Sequence, residues 1–138
     1  MADLRRAFPA LRDGAYDRTS PADDTYNCIA WAAGDTTRWW WPDEYGTGYW
    51  PPHAPRSESV EAFVAAFASL GYARVDDERV AQAAIFADDA GHPMHAARRL
   101  ADGRWTSKLG RNIDITHDLR DLEGPAYGRV VVLLGRAP

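Results

Sequence analysis

Apolar residues recur at helical spacing in one long stretch of this chain and at a spacing of two in four short ones. In "SESVEAFVAAFASLGY" (57–72), Val60, Phe63, Val64, Phe67 and Leu70 fall on one helical face, with Ser57 placed to cap the start and Gly71 to end it. Beyond it, "AQAAIFAD" (81–88), "MHAARRLA" (94–101), "RWTSKLG" (104–110) and "GRVVVLLG" (128–135) read as strands. "DDAGHP" and "ADG" supply turns between the first three, which predicts an antiparallel meander, and residues 111–127 cross over to the last strand. Helices first and strands second is the α+β pattern.

Upstream, residues 3–12 carry Pro9 and predict only a short N-terminal helix or turn. "SPADDTYN" (20–27) is rich in capping residues, and either Thr25 or Asn27 is placed to cap a short buried helix in "CIAWAAGD" that ends at Gly34. Residues 35–56, "DTTRWWWPDEYGTGYWPPHAPR", fit neither period. Proline and glycine break regular structure there while tryptophans anchor it, so a long ordered loop is expected.

The 138 residues suit one domain spanning 1–138, and 46% hydrophobic content argues against wholesale disorder. A net charge of −4, with basic residues interspersed among acids, argues against a nucleic-acid binder. The N-terminal residues hold no signal-peptide core, and no apolar run approaches the ~18 residues of a membrane span. A single cysteine fits a reducing compartment, and a soluble cytoplasmic protein is expected.

That cysteine, Cys28, opens the "CIAWAAG" helix. A lone cysteine is most often a small core hydrophobe. At the first turn of a helix, however, free N–H groups lower a thiol's pKa and offer an oxyanion hole. A nucleophilic thiol also needs a base, and His95 begins a predicted central strand followed by small Ala96 and Ala97. His53 lies in the Pro-rich loop, His92 in a turn, and His117 in "DITHDL" reads as a cap or surface residue. A zinc site from Cys28, His92, His95 and His117 lacks the usual ligand spacing, so no metal and no cofactor is assigned.

"YNCIAWA", "HAARRL", "RWTSKLG" and "YGRVVVLLGR", in that order, resemble the papain-like cysteine peptidase and amidase superfamily, which includes the NlpC/P60 and CHAP amidases. The chain also resembles a small bacterial family sharing "YNCIAWA", a Trp-rich loop and "GRWTSKLG". The resemblance implies a papain-like domain in which N-terminal helices pack on a curved antiparallel sheet of about four to five strands. It implies Cys28 as nucleophile and His95 as base. For the group that orients the imidazole it leaves two candidates, Ser107 on the next strand and Asp114 beyond it. Asn27 or Tyr26, or backbone N–H groups alone, would complete the oxyanion site.

Trp39, Trp40 and Trp41 are consecutive and cannot all point inward, so with Trp31, Trp50 and Asn27 they are expected as a substrate wall beside Cys28. Lys108 alternates with Ser107 and is expected on the surface. Two readings follow. One is a thiol-dependent hydrolase or acyl transferase acting on a peptide, amide or ester. The other is an inactive papain-like binding module that uses the Trp-rich loop to hold a ligand or protein partner.

Overall fold

The computed structural model describes residues 8, 17–20, 25–109 and 113–136. Its strands are β1 (Asp17–Ser20), β2 (Tyr72–Val75), β3 (Ala83–Ala87), β4 (Pro93–Arg99), β5 (Trp105–Lys108), β6 (Asp114–His117) and β7 (Arg129–Arg136). They form one antiparallel sheet in the order β1-β6-β5-β4-β3-β7-β2. Two α-helices accompany it, α1 (Cys28–Ala33) and α2 (Val60–Ala68). The class is α+β, as expected, and the meander β3-β4-β5 is present.

The sheet is wider than the four to five strands expected. β1 and β6 extend the meander at one edge, and β2 closes the other beside β7. These three strands are four residues each, too short to display a period. In β6, moreover, Asp114 and His117 are fully buried on opposite faces, which erases the apolar–polar alternation.

Each face of the sheet has its own core. Ala83, Ile85, Ala96, Val132 and Leu134 pack with both helices, Trp40 and Trp50 on one face. Ala84, Phe86, Ala97, Trp105 and Ile115 pack with Phe8, Leu119 and Leu122 on the other. Helix α1 lies on β4 and β5, and α2 on β2 and β3. The helix expected over residues 3–12 lies outside the described residues, except for Phe8, which is buried.

Asn27 caps α1 by accepting from the Ala30 N–H at 3.1 Å, and Gly34 ends it in the left-handed region at φ 86°. Ser59 rather than Ser57 caps α2, accepting from Ala62 N–H at 3.1 Å. Ser57 Oγ instead lies 2.9 Å from Ser59 Oγ. The 35–56 loop is held by a bridge in which Tyr49 N–H donates to Trp39 O and Trp41 N–H to Tyr49 O. Among the described residues no helix is long and apolar enough to cross a membrane.

Candidate functional site

The site begins with an incomplete strand pairing. β4 starts at Pro93, yet it pairs with β5 only at Arg98↔Thr106 and Arg99↔Trp105. Arg99 N–H donates to Gln82 O on the β3 side, so by antiparallel alternation the Ala96 N–H points the other way, toward β5. The ladder has already ended there, and the N–H faces the thiol of Cys28. Cys28 is the first residue of α1, and the helix rests over this opening.

Burial pushes the Cys28 thiol up to about 11. The N–H groups of Ala96, Ile29 and Cys28 itself, and the positive charge of Lys108, act in the opposite direction and lose. The expected acidification at a helix N-terminus is therefore overturned. The reason is that the residue is only 8% exposed, and desolvation of a thiolate outweighs a few N–H dipoles.

His95 is fully buried. It precedes Ala96 on β4, so its ring leaves on the opposite face from Ala96 and meets Phe86 edge-on at 5.2 Å and Tyr127 face-on at 4.0 Å. Its Nε2 lies 2.9 Å from Ser107 Oγ, across the same opening between β4 and β5. Its Nδ1 has no hydrogen-bond partner among the described residues. Ser107 Oγ in turn lies 2.7 Å from His117 Nε2, and His117 Nδ1 donates to the Asp118 carbonyl at 2.7 Å. Desolvation, and then the neighbouring His117, hold the His95 pKa well below its ordinary value. His117 is also lowered by burial, against the Asp118 carbonyl bond, which raises it. Thiol and imidazole are both neutral at pH 7.

Ser107 thus reaches the His95 ring, 2.9 Å from Nε2. Asp114 does not. It is the cross-strand partner of Lys108, on the face opposite Ser107, and accepts from the Tyr26 hydroxyl at 3.2 Å. Lys108, expected at the surface, is fully buried with Nζ 4.9 Å from the Tyr26 ring centre. The expectation failed because β5 is covered on both faces, so that alternation sends Lys108 under α1 rather than into water.

The expected substrate wall divides. Trp40 and Trp50 are buried, and their indole N–H groups donate inside the protein to Asp35 Oδ2 and Pro55 O, both at 2.8 Å. Trp41 meets Phe63 edge-on, and Trp31 donates to Thr106 Oγ1 at 2.9 Å. Trp31, Trp39 and Trp41 keep partial exposure. Asn27 spends its amide on structure, with Nδ2 donating to Trp40 O and Oδ1 accepting from Trp40 N–H as well as from Ala30. Among the described residues no group of three or more His, Cys, Asp or Glu side chains could hold a metal ion.

Two residues join the site that the sequence reading did not place there. His117 is buried rather than a surface residue, and Tyr127 covers His95. Reading "DITH" as a strand would have revealed the first, because Ile115 and His117 then share a face with Ser107. Nothing local in the sequence marks Tyr127. A family model described as a domain of unknown function, DUF7689, matches residues 17–135, so the chain belongs to that family. No curated protein and no solved structure matches it.

Proposed function

We propose that this member of the DUF7689 family is a thiol-dependent hydrolase or acyl transferase for a peptide, amide or ester bond, with Cys28 as nucleophile and His95 as base. One observation carries the reading: His95 is tied through Nε2 to Ser107 while its buried Nδ1 has no partner among the described residues, one strand position from the backbone that faces the Cys28 thiol. A histidine needed only for packing has no reason to leave a ring nitrogen unsatisfied, because a buried unmet polar atom costs about 1–3 kcal/mol. The papain-like resemblance supports the same roles, with Ser107 as the orienting residue. Cys28 packs on the Ala96 side of β4 and the His95 ring on the other, so the reaction requires the gap between β4 and β5 to bring them together; the Cys28 proton then passes to His95 Nδ1 as sulfur attacks the carbonyl carbon. The leaving group takes that proton, and water or another acceptor cleaves the thioester. Turnover from neutral, covered groups requires the site to open on substrate.

The test is intact-mass detection of an acyl group on Cys28 after exposure to activated esters and thioesters. We expect a Cys28-dependent adduct that forms at least ~100-fold more slowly in His95→Gln, the usual worth of a positioned base. Acylation at the same rate in Cys28→Ala would end this reading. The closure of Cys28 and His95 from solvent favours the second one, a binding module that uses Trp39 and Trp41. That module predicts ligand capture lost in Trp39→Ala with Trp41→Ala and untouched in Cys28→Ala.

A further inference from the structure

The proton positions along β4, β5 and β6 follow from a single carbonyl. The Asp118 carbonyl only accepts, so His117 Nδ1, 2.7 Å away, carries a hydrogen. His117 is neutral, so its Nε2 is bare and must accept from the Ser107 hydroxyl at 2.7 Å. A serine has one hydrogen to give. With it committed to His117, Ser107 Oγ accepts from His95, and the hydrogen of that ring sits on Nε2, 2.9 Å away. His95 Nδ1 is then the lone-pair nitrogen, and it is the ring atom without a partner among the described residues.

We propose that His117, acting through Ser107, is a positioning residue that locks His95 in the Nε2–H tautomer and leaves Nδ1 as a standing base. The proposal that this base serves Cys28 rests on the function proposed above; the tautomer assignment does not. No charged carboxylate is asked to orient the imidazole. A backbone carbonyl does so at a distance of two side chains, in a direction set by which groups have hydrogens to donate. Breaking any link frees Ser107 to donate to His95 Nε2 and lets the ring hydrogen move to Nδ1.

The experiment is long-range ¹H–¹⁵N correlation of the His95 ring in protein labelled at histidine, near pH 7.5. The wild type is expected to show a protonated Nε2 and a bare Nδ1. His117→Phe is expected to lose the single tautomer. His117→Gln, which keeps an amide oxygen for Ser107 and an N–H for the carbonyl, is expected to retain it. A wild-type His95 protonated on Nδ1 overturns the proposal, and so does an unchanged tautomer in His117→Phe. Should His117→Phe fail to fold, Ser107→Ala breaks the same chain with a smaller change, and the wild-type spectrum alone remains decisive. The outcomes separate from those of the function. The predicted tautomer without acylation of Cys28 sinks the hydrolase reading only, whereas acylation with the other tautomer sinks only the role of His117.

Discussion

The ring of Tyr127 lies flat on that of His95, with centroids 4.0 Å apart and planes 5° from parallel. Burial pushes the pKa of the Tyr127 hydroxyl up, and a charge on the nearby Cys28 thiol would push it in the same direction. Tyr127 sits in a tight turn closed by reciprocal bonds between Gly124 and Gly128. Gly128 is at φ 76°, and a Cβ there would stand 2.0 Å from the Ala87 carbonyl oxygen. The turn is thus pressed against β3, and the tyrosine is its cover over the imidazole.

Removing that cover should expose the site. A stacked aromatic pair contributes about 0.5–1.5 kcal/mol beyond its buried area, so an opening that breaks it becomes up to roughly tenfold more frequent in Tyr127→Ala. Iodoacetamide labelling of Cys28 should accelerate accordingly, while Tyr127→Phe, which keeps the ring, should match the wild type. Equal labelling rates in all three proteins would mean that access to the thiol runs elsewhere.

Stability should fall on the acid side because of the paired histidines. Both imidazoles are held neutral by the fold, so the unfolded chain takes up protons first as the pH drops below the ordinary value of 6.5. Their contribution is intact above 6.5 and is lost progressively below it, down to the folded-state values. The charges around His117 are Asp118 and Asp121, which favour its protonation, and Arg104, which opposes it; His95 faces His117. Urea midpoints between pH 7.5 and 5 should therefore decline less steeply in His117→Gln than in the wild type. Parallel slopes would show that the fold does not hold His117 neutral.

Asn27 should prove a stability residue before a chemical one. It caps α1 and also clamps the loop through the Trp40 peptide. Losing a cap costs about 1 kcal/mol and each buried hydrogen bond about as much again, so Asn27→Ala should destabilise by roughly 2–3 kcal/mol. Equilibrium denaturation checks this. A change below about 0.5 kcal/mol would place Asn27 among freely substituted surface positions, against its burial.

Local chemistry made much of this protein legible in its sequence. Val60, Phe63, Val64 and Phe67 of α2 share one face because a helix repeats every 3.6 residues, and the β3-β4-β5 meander shows because short apolar runs stand between turns rich in glycine and aspartate. Cys28 and His95 were readable as candidates for the same reason, since each stands at a defined point of a recognisable element; Ser107 entered through the papain-like resemblance. In β6 both Asp114 and His117 are polar yet buried, so no apolar pattern marked the strand and His117 passed for a surface residue.

What only the tertiary structure decided is everything that depends on which faces are covered. A strand dictates that Ser107 and Lys108 point opposite ways, but not that both directions lead inward. A helix start dictates that Cys28 meets free N–H groups, but not that enclosure would outweigh them and raise the thiol to about 11. Nor does any local pattern dictate that β4 and β5 part after two residue pairs, leaving the imidazole to one face and the thiol at the gap. Burial and strand separation are sums over distant segments. Periodicity reports which way a side chain points, and only packing determines what it finds there.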